Sequence, residues 1–211
     1  MKKIQSVLLI ICIIFGVVFM TACNTNKPIA DNTTTTEAPK DEFAEVKDIA
    51  EKFAVALIES DRNILFEHYA RDMEKLMDAM LKDGDVQELL DFYGAKDLPE
   101  FYDKLSEGAK ATLRSDYGDD YKITAKTTTC EKLDGDTLKI FIENCKIQTD
   151  SNAKNYDVTS EELLDTTKIE EAVKIIVECK LSGSNKTDTD EKELYGVFID
   201  GKWKMIDDVK I

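Results

Sequence analysis

The sequence has one histidine, His68, and neither a Cys-x-x-Cys pair nor a Cys/His cluster, which disfavours a zinc site. It has no glycine-rich loop to cradle a phosphate, no Gly-x-Ser-x-Gly elbow and no His-Glu-x-x-His pair. Those absences remove the usual nucleotide-binding, serine-hydrolase and zinc-protease signatures. Only three prolines occur, and two of them, Pro28 and Pro39, fall in one polar stretch near the start. Spanning a bilayer takes roughly 20 apolar residues. The longest apolar run, Val7 to Met20, has 14, and no internal repeat is visible.

The acidic clusters also stop short of a site. Asp83-Gly84-Asp85 and Asp134-Gly135-Asp136 read as turns, without the later oxygen ligands and the Glu at position 12 that a calcium loop needs. Asp116, Asp119 and Asp120 lie near Gly118 out of register, and Asp188, Asp190 and Glu191 lack the required glycine. The expectation is no metal, no cofactor and no assigned catalytic residue.

What is present begins at the amino terminus. Met1-Lys2-Lys3 is a short basic segment, followed by the apolar run, which has the length of a signal-peptide core rather than of a membrane span. It ends in Met20-Thr21-Ala22-Cys23. This tetrad resembles the lipobox of bacterial, Gram-positive-type lipoproteins, with Met where Leu is usual. The resemblance implies that residues 1–22 are a signal peptide and that Cys23 becomes an acylated amino terminus. Each buried CH₂ of an acyl chain such as palmitate contributes about 0.8 kcal/mol, so two or more chains anchor stably. The implied location is the extracytoplasmic face of the cell membrane. An uncleaved signal anchor or a plainly secreted chain are the alternatives.

Residues 23–40 read as a lipidated, disordered tether. Its 17 residues from Asn24 to Lys40, NTNKPIADNTTTTEAPK, have almost nothing to bury. As a random coil they would span roughly 20–25 Å. Beyond Ala22 the chain carries 26 Lys/Arg against 43 Asp/Glu, a formal charge of −17. Such a surface repels nucleic acid and anionic headgroups, so no nucleic-acid partner is expected. Membrane contact would come through the lipid alone.

Residues 41–211 have the size of one domain with its own core. Beyond Cys23 three cysteines remain, Cys130, Cys145 and Cys179, so at most one internal disulfide could form. Cys179 falls on an apolar strand face and is expected as a buried thiol.

Apolar spacing predicts helices over 41–115. Phe43, Val46, Ala50, Phe53 and Leu57 mark one over about 40–59; Leu65, Tyr69, Met73, Leu76 and Met80 mark a second over about 62–82. A short helix near 86–93 follows, and Asp97-Leu98-Pro99-Glu100 opens another to about Leu113. Strands are expected for most of 121–211. Tyr121–Leu133 is threonine-rich. Asp134-Gly135 reads as a hairpin turn into Thr137–Gln148, where Leu138, Ile140 and Ile142 alternate. After a short capped helix near 160–166, strands are expected through Val173–Leu181, Glu191–Ile199 and Lys202–Asp207. Helices first and an antiparallel meander afterwards make an α+β fold.

Phe43–Ser60, Asp61–Ala70 and the run Val197-Phe198-Ile199-Asp200-Gly201-Lys202-Trp203-Lys204-Met205 resemble the nuclear transport factor 2-like, cystatin-like superfamily. The resemblance implies a curved sheet wrapping the long helix into a cone. In that superfamily the cone holds a small apolar ligand, hosts catalysis or is simply packed. His68, Tyr69, Tyr195 and Trp203 are the candidate pocket residues; the plainer alternatives are a helix-boundary histidine and aromatic sheet core. The leading expectation is a non-catalytic binding or interaction domain for a protein or small apolar ligand. A small pocket enzyme using His68, or an Asp or Glu, as acid/base, or a structural or immunity envelope lipoprotein, are the alternatives.

Overall fold

The computed structural model describes residues 41–82, 85–209 and 211. The expected signal peptide, Cys23, the tether and the Asp83-Gly84 turn lie outside them. The described chain is α+β, with helices ahead of a four-stranded antiparallel sheet of order β1-β2-β3-β4. The helices are α1 (Ala44–Glu59), α2 (Arg62–His68), α3 (Met73–Lys82), α4 (Asp85–Tyr93), α5 (Leu98–Tyr117), α6 (Gly135–Tyr156) and α7 (Ser160–Leu163). The strands are β1 (Lys122–Lys132), β2 (Ile169–Ser182), β3 (Thr187–Ile199) and β4 (Lys202–Ile206).

The helix α1 lies on one face of the sheet because its apolar residues recur every three or four positions. Val46, Ala50, Phe53, Ala54 and Leu57 are buried against Val173, Ile175, Val177 and Met205. Burying each large side chain contributes about 1.5–3 kcal/mol. The approach is closest at Gly196 on β3, where an added Cβ would stand 2.5 Å from Val46 Cγ2 and 2.9 Å from Val173 Cγ2. Ser60, in the left-handed region at φ 55°, ends the helix, and Asp61 caps α2 by accepting from the Asn63 N–H.

One continuous helix over 62–82 is not what forms. The chain leaves the helix at Tyr69 because this stretch bonds to other elements. Tyr69 bridges to Met205 of β4, Ala70 N–H donates to Met205 O (2.9 Å), and Asp72 N–H donates to Leu163 O (2.8 Å). Asp72 then caps α3 by accepting from the Lys75 N–H (2.9 Å). The expected stripe survives the break, since Leu65, Tyr69, Met73, Leu76 and Met80 are all buried.

The larger correction concerns Thr137–Gln148, which is helix, not strand. The 22-residue α6 fills the connection between β1 and β2. Gly135, at φ 50°, opens it rather than turning a hairpin. Its buried stripe is Phe141, Cys145, Thr149 and Ala153, spaced by four. The alternation of Leu138, Ile140 and Ile142 misleads because Ile140 and the later Ile147 face solvent.

On the second face of the sheet, Phe141 and Cys145 pack with Ala172, Tyr195, Val197 and Ile206. Strand β3 serves both faces by alternation, with Leu194 toward α1 and Tyr195 toward α6. At the other end of the sheet the β2–β3 turn docks on α5. Asn185 N–H donates to Tyr117 O (2.9 Å), and the Tyr117 hydroxyl donates to Asp188 Oδ2 (2.8 Å).

Candidate functional site

A cleft of about 580 Å³ opens where α2, the 69–72 loop, α7 and the β3–β4 turn converge. Its walls are largely charged. Four cations, Arg62, Arg71, Lys168 and Lys204, line it with six acids, Glu67, Asp72, Glu74, Glu161, Asp165 and Asp200. Several of these are already engaged. Lys168 Nζ pairs with Asp200 Oδ2 (3.3 Å), Lys204 Nζ donates to the Glu67 carbonyl, and the Arg62 guanidinium stacks over the Phe66 ring at 5.7 Å. Asp165 accepts from the Thr167 hydroxyl (2.6 Å), and that bond holds its carboxyl below the usual range. Burial pushes the Lys204 ammonium down, and the nearby Lys202 charge adds to the effect. Glu67, Glu74 and Glu161 form no ion pair among the described residues.

Behind the 69–72 loop lies a buried polar cluster. Arg71 Nη1 donates to both oxygens of Asp208, at 2.5 and 2.6 Å, and Nε reaches Thr149 Oγ1 on α6 at 3.4 Å. The Arg71 and Asp208 side chains are 4% and 10% exposed, so the pair is largely withdrawn from water. Arg71 Nη2 is buried without a partner among the described residues. The Tyr69 hydroxyl donates to Asp207 Oδ1 (2.7 Å). Burial, then the negative charge of Asp208, pushes the Asp207 carboxyl up to about 7, while the Tyr69 hydroxyl and Arg71 pull it down. Burial, then Asp207, holds the Tyr69 phenol well above its ordinary value.

The four candidate pocket residues are not brought together. Tyr69 lines the cleft, and its hydroxyl belongs to the buried cluster. His68 is half-buried at the end of α2 and outside the cleft lining; burial lowers its pKa, with Glu67, Lys204, Lys52 and Asp48 as its charged neighbours. Tyr195 stacks on Phe141 at 4.9 Å on the α6 face, and its hydroxyl donates to Glu193 Oε1 (2.7 Å). Trp203 packs against Phe198 at 5.3 Å and edge-on to Phe43 at 6.3 Å. Arg71, Thr149, Asp207 and Asp208 escape sequence reasoning because Tyr69 and Arg71 stand 138 and 137 residues from their carboxylate partners. No local spacing carries that signal.

The three cysteines among the described residues, Cys130, Cys145 and Cys179, are free thiols. Burial pushes Cys145 up to about 12 and Cys179 up to about 11, and it raises the half-buried Cys130 as well. Thiols held protonated in this way are poor nucleophiles. Among the described residues no group of three or more His, Cys, Asp or Glu is placed to hold a metal ion. No described helix is long and apolar enough to cross a membrane. No protein-family model, curated protein or solved structure matches the chain.

Proposed function

We propose that this chain is an extracytoplasmic lipoprotein, anchored through Cys23, whose domain binds a charged partner in the cleft between α2, α7 and the β3–β4 turn. The anchor reading rests on the basic start, the 14-residue apolar run and the Met-Thr-Ala-Cys tetrad ending at Cys23. The single observation that carries the binding reading is the cleft itself, of about 580 Å³ and walled by charge. The cone interior of the nuclear transport factor 2-like resemblance is a poorer candidate, because Phe53, Leu57, Ile175, Val177 and Met205 fill the space between α1 and the sheet.

The cleft's chemistry favours a polar ligand over an apolar one. Glu67, Glu74 and Glu161 offer carboxylates without an ion-pair partner among the described residues, and the net charge of −17 beyond Ala22 draws in cations from a distance. A protein segment with basic side chains is the partner class that fits. The catalytic alternative asks for His68, or an Asp or Glu, facing a cavity with a shifted pKa; His68 lies outside the cleft lining, and Asp165 lines it with its carboxyl held below the usual range, in the form that donates no proton.

Cross-linking on native membranes, followed by capture of the full chain, tests the binding reading. The wild type is expected to retain a reproducible partner. The charge reversals E74K and E161K together are expected to release it while leaving the chain membrane-bound. An unchanged set of captured species in the double variant would overturn the cleft assignment.

A further inference from the structure

The chain enters the fold at one end of the sheet. Lys47 Nζ pairs with Asp41 at 2.7 Å, and both charges act on the Cys130 thiol of β1. Glu42 acts on Lys132, whose Nζ pairs with Glu171 of β2 at 2.7 Å. The Phe43 ring stands edge-on to Trp203 of β4 at 6.3 Å. Residues 41–43 thus lie beside one end of β1, β2 and β4. It is the end where Lys132 faces Val173 and where Ile199 faces both Ile169 and Lys202.

The cleft is built on the same end. Ile199, Asp200, Lys204 and Lys168 form its sheet-side wall. Lys168 directly precedes β2 and pairs with Asp200 of the β3–β4 turn at 3.3 Å. Lys204 follows Trp203, the ring that meets Phe43. The opposite end, where Lys122 faces Ser182, lies the length of the 11-residue β1 away. At about 3.4 Å per residue that is roughly 35 Å. Residues 24–40 would span roughly 20–25 Å as a random coil. The sheet is longer than that span, so which end carries the cleft decides how near it comes to the anchor.

We propose that the cleft takes its basic segment from a protein held in the same membrane, at a level just outside the bilayer. This rests on the cleft and the Cys23 anchor proposed above. A domain tethered at this end keeps the cleft in the layer that the tether spans and carries the far end of the sheet beyond it. The formal charge of −17 beyond Ala22 holds the body off anionic headgroups, which leaves that layer open to a protein. Confining both molecules to one membrane raises the effective concentration of the segment at Glu67, Glu74 and Glu161. A partner dissolved away from the membrane gains nothing from this arrangement.

Energy transfer from Trp203, the only tryptophan in the chain, reads the orientation. The acceptor is a dansyl-headgroup lipid, with the full lipidated chain in phosphatidylcholine vesicles. Strong transfer is expected from Trp203, and loss of most of it in the K122W/W203F variant, whose tryptophan stands at the far end. Equal transfer from the two ends, or more from the far end, would overturn the proposal. A carbodiimide applied to native membranes reads the partner and needs no substitution at Trp203. It joins a carboxylate to a lysine in contact with it, without a spacer. Cross-links from Glu74 or Glu161 are expected to reach lysines beside a membrane-spanning or lipid-anchored segment of another protein. Cross-links to a protein that alkaline washing releases from the membrane would overturn the proposal and leave the cleft's basic partner standing. No cross-link from either glutamate would overturn the cleft reading with it.

Discussion

On the α1 side of the sheet, Val46, Phe53 and Leu57 meet Val173, Ile175 and Val177 in an apolar cluster. On the α6 side, Phe141 stacks on Tyr195, and Cys145 of the same helix stands beside a buried Arg71–Asp208 pair with Asp207 next in sequence. The first face is held by apolar area and close approach, which barely depend on pH. The second adds a buried ionic cluster whose strength depends on pairing and protonation. Burying ions is expensive, so a pair of this kind is weak evidence for stability but strongly destabilising when one partner is removed. The contrast separates what carries the fold from what is tunable in it.

Five variants break or sharpen the contrast. Arg71→Ala is expected to have the largest effect, a loss of about 3–5 kcal/mol in denaturant unfolding at pH 7.5, because it strands buried carboxylates. The loss should shrink toward pH 4 as Asp207 takes up its proton. Ile175→Ala, on the other face, should cost about 2–5 kcal/mol, by the same amount at every pH. Equal pH dependence in the two variants would erase the distinction between the faces.

Asp207→Asn comes next. The folded Asp207 is pushed up to about 7, above the ordinary 3.8, so between those values the folded chain holds a proton that the unfolded chain has lost. This group therefore makes stability fall as pH rises from about 4 to about 7, by up to about 1.4 kcal/mol per pH unit. It adds no further slope above that. The variant should lack this contribution, so the wild-type minus variant difference, measured by urea melts at pH 5 and 7.5, should change sign or shrink. Gly196→Ala tests the α1 face. Its new Cβ would sit 2.5 Å from Val46 Cγ2, and overpacking of that kind costs about 1–3 kcal/mol. The smallest effect is expected of Ile147→Lys on α6. Ile147 is 58% exposed, so its replacement should move stability by less than about 0.5 kcal/mol. A large loss there would mean that α6 presents a different face.

The same contrast governs how much could be read in the sequence. The α1 stripe and the alternation from Val173 to Leu181 are strong apolar periods, and both elements form where those periods lie. Helix α6 hides because its buried stripe is Phe141, Cys145, Thr149 and Ala153, only one of them large and apolar. A nearby alternation of Leu and Ile supplies the competing strand period. The break at Tyr69 hides for a different reason. Arg62 to Lys82 is a good helix locally, and it is interrupted by hydrogen bonds to Met205 and Leu163, far away in sequence. The buried cluster is less legible still. Of its members only Tyr69 stands out in the sequence, as an aromatic in a helical stripe; Arg71, Asp207 and Asp208 look like ordinary surface charge in a chain with 43 acids.

The proposed role at the cell surface depends first on where the mature chain begins and what its first residue carries. Mass spectrometry of the protein extracted from native membranes measures both at once. A chain starting at Cys23, with residues 1–22 removed and the mass of acyl chains on that residue, is the expected result. An unmodified Cys23 thiol, or the apolar leader still attached, would contradict it.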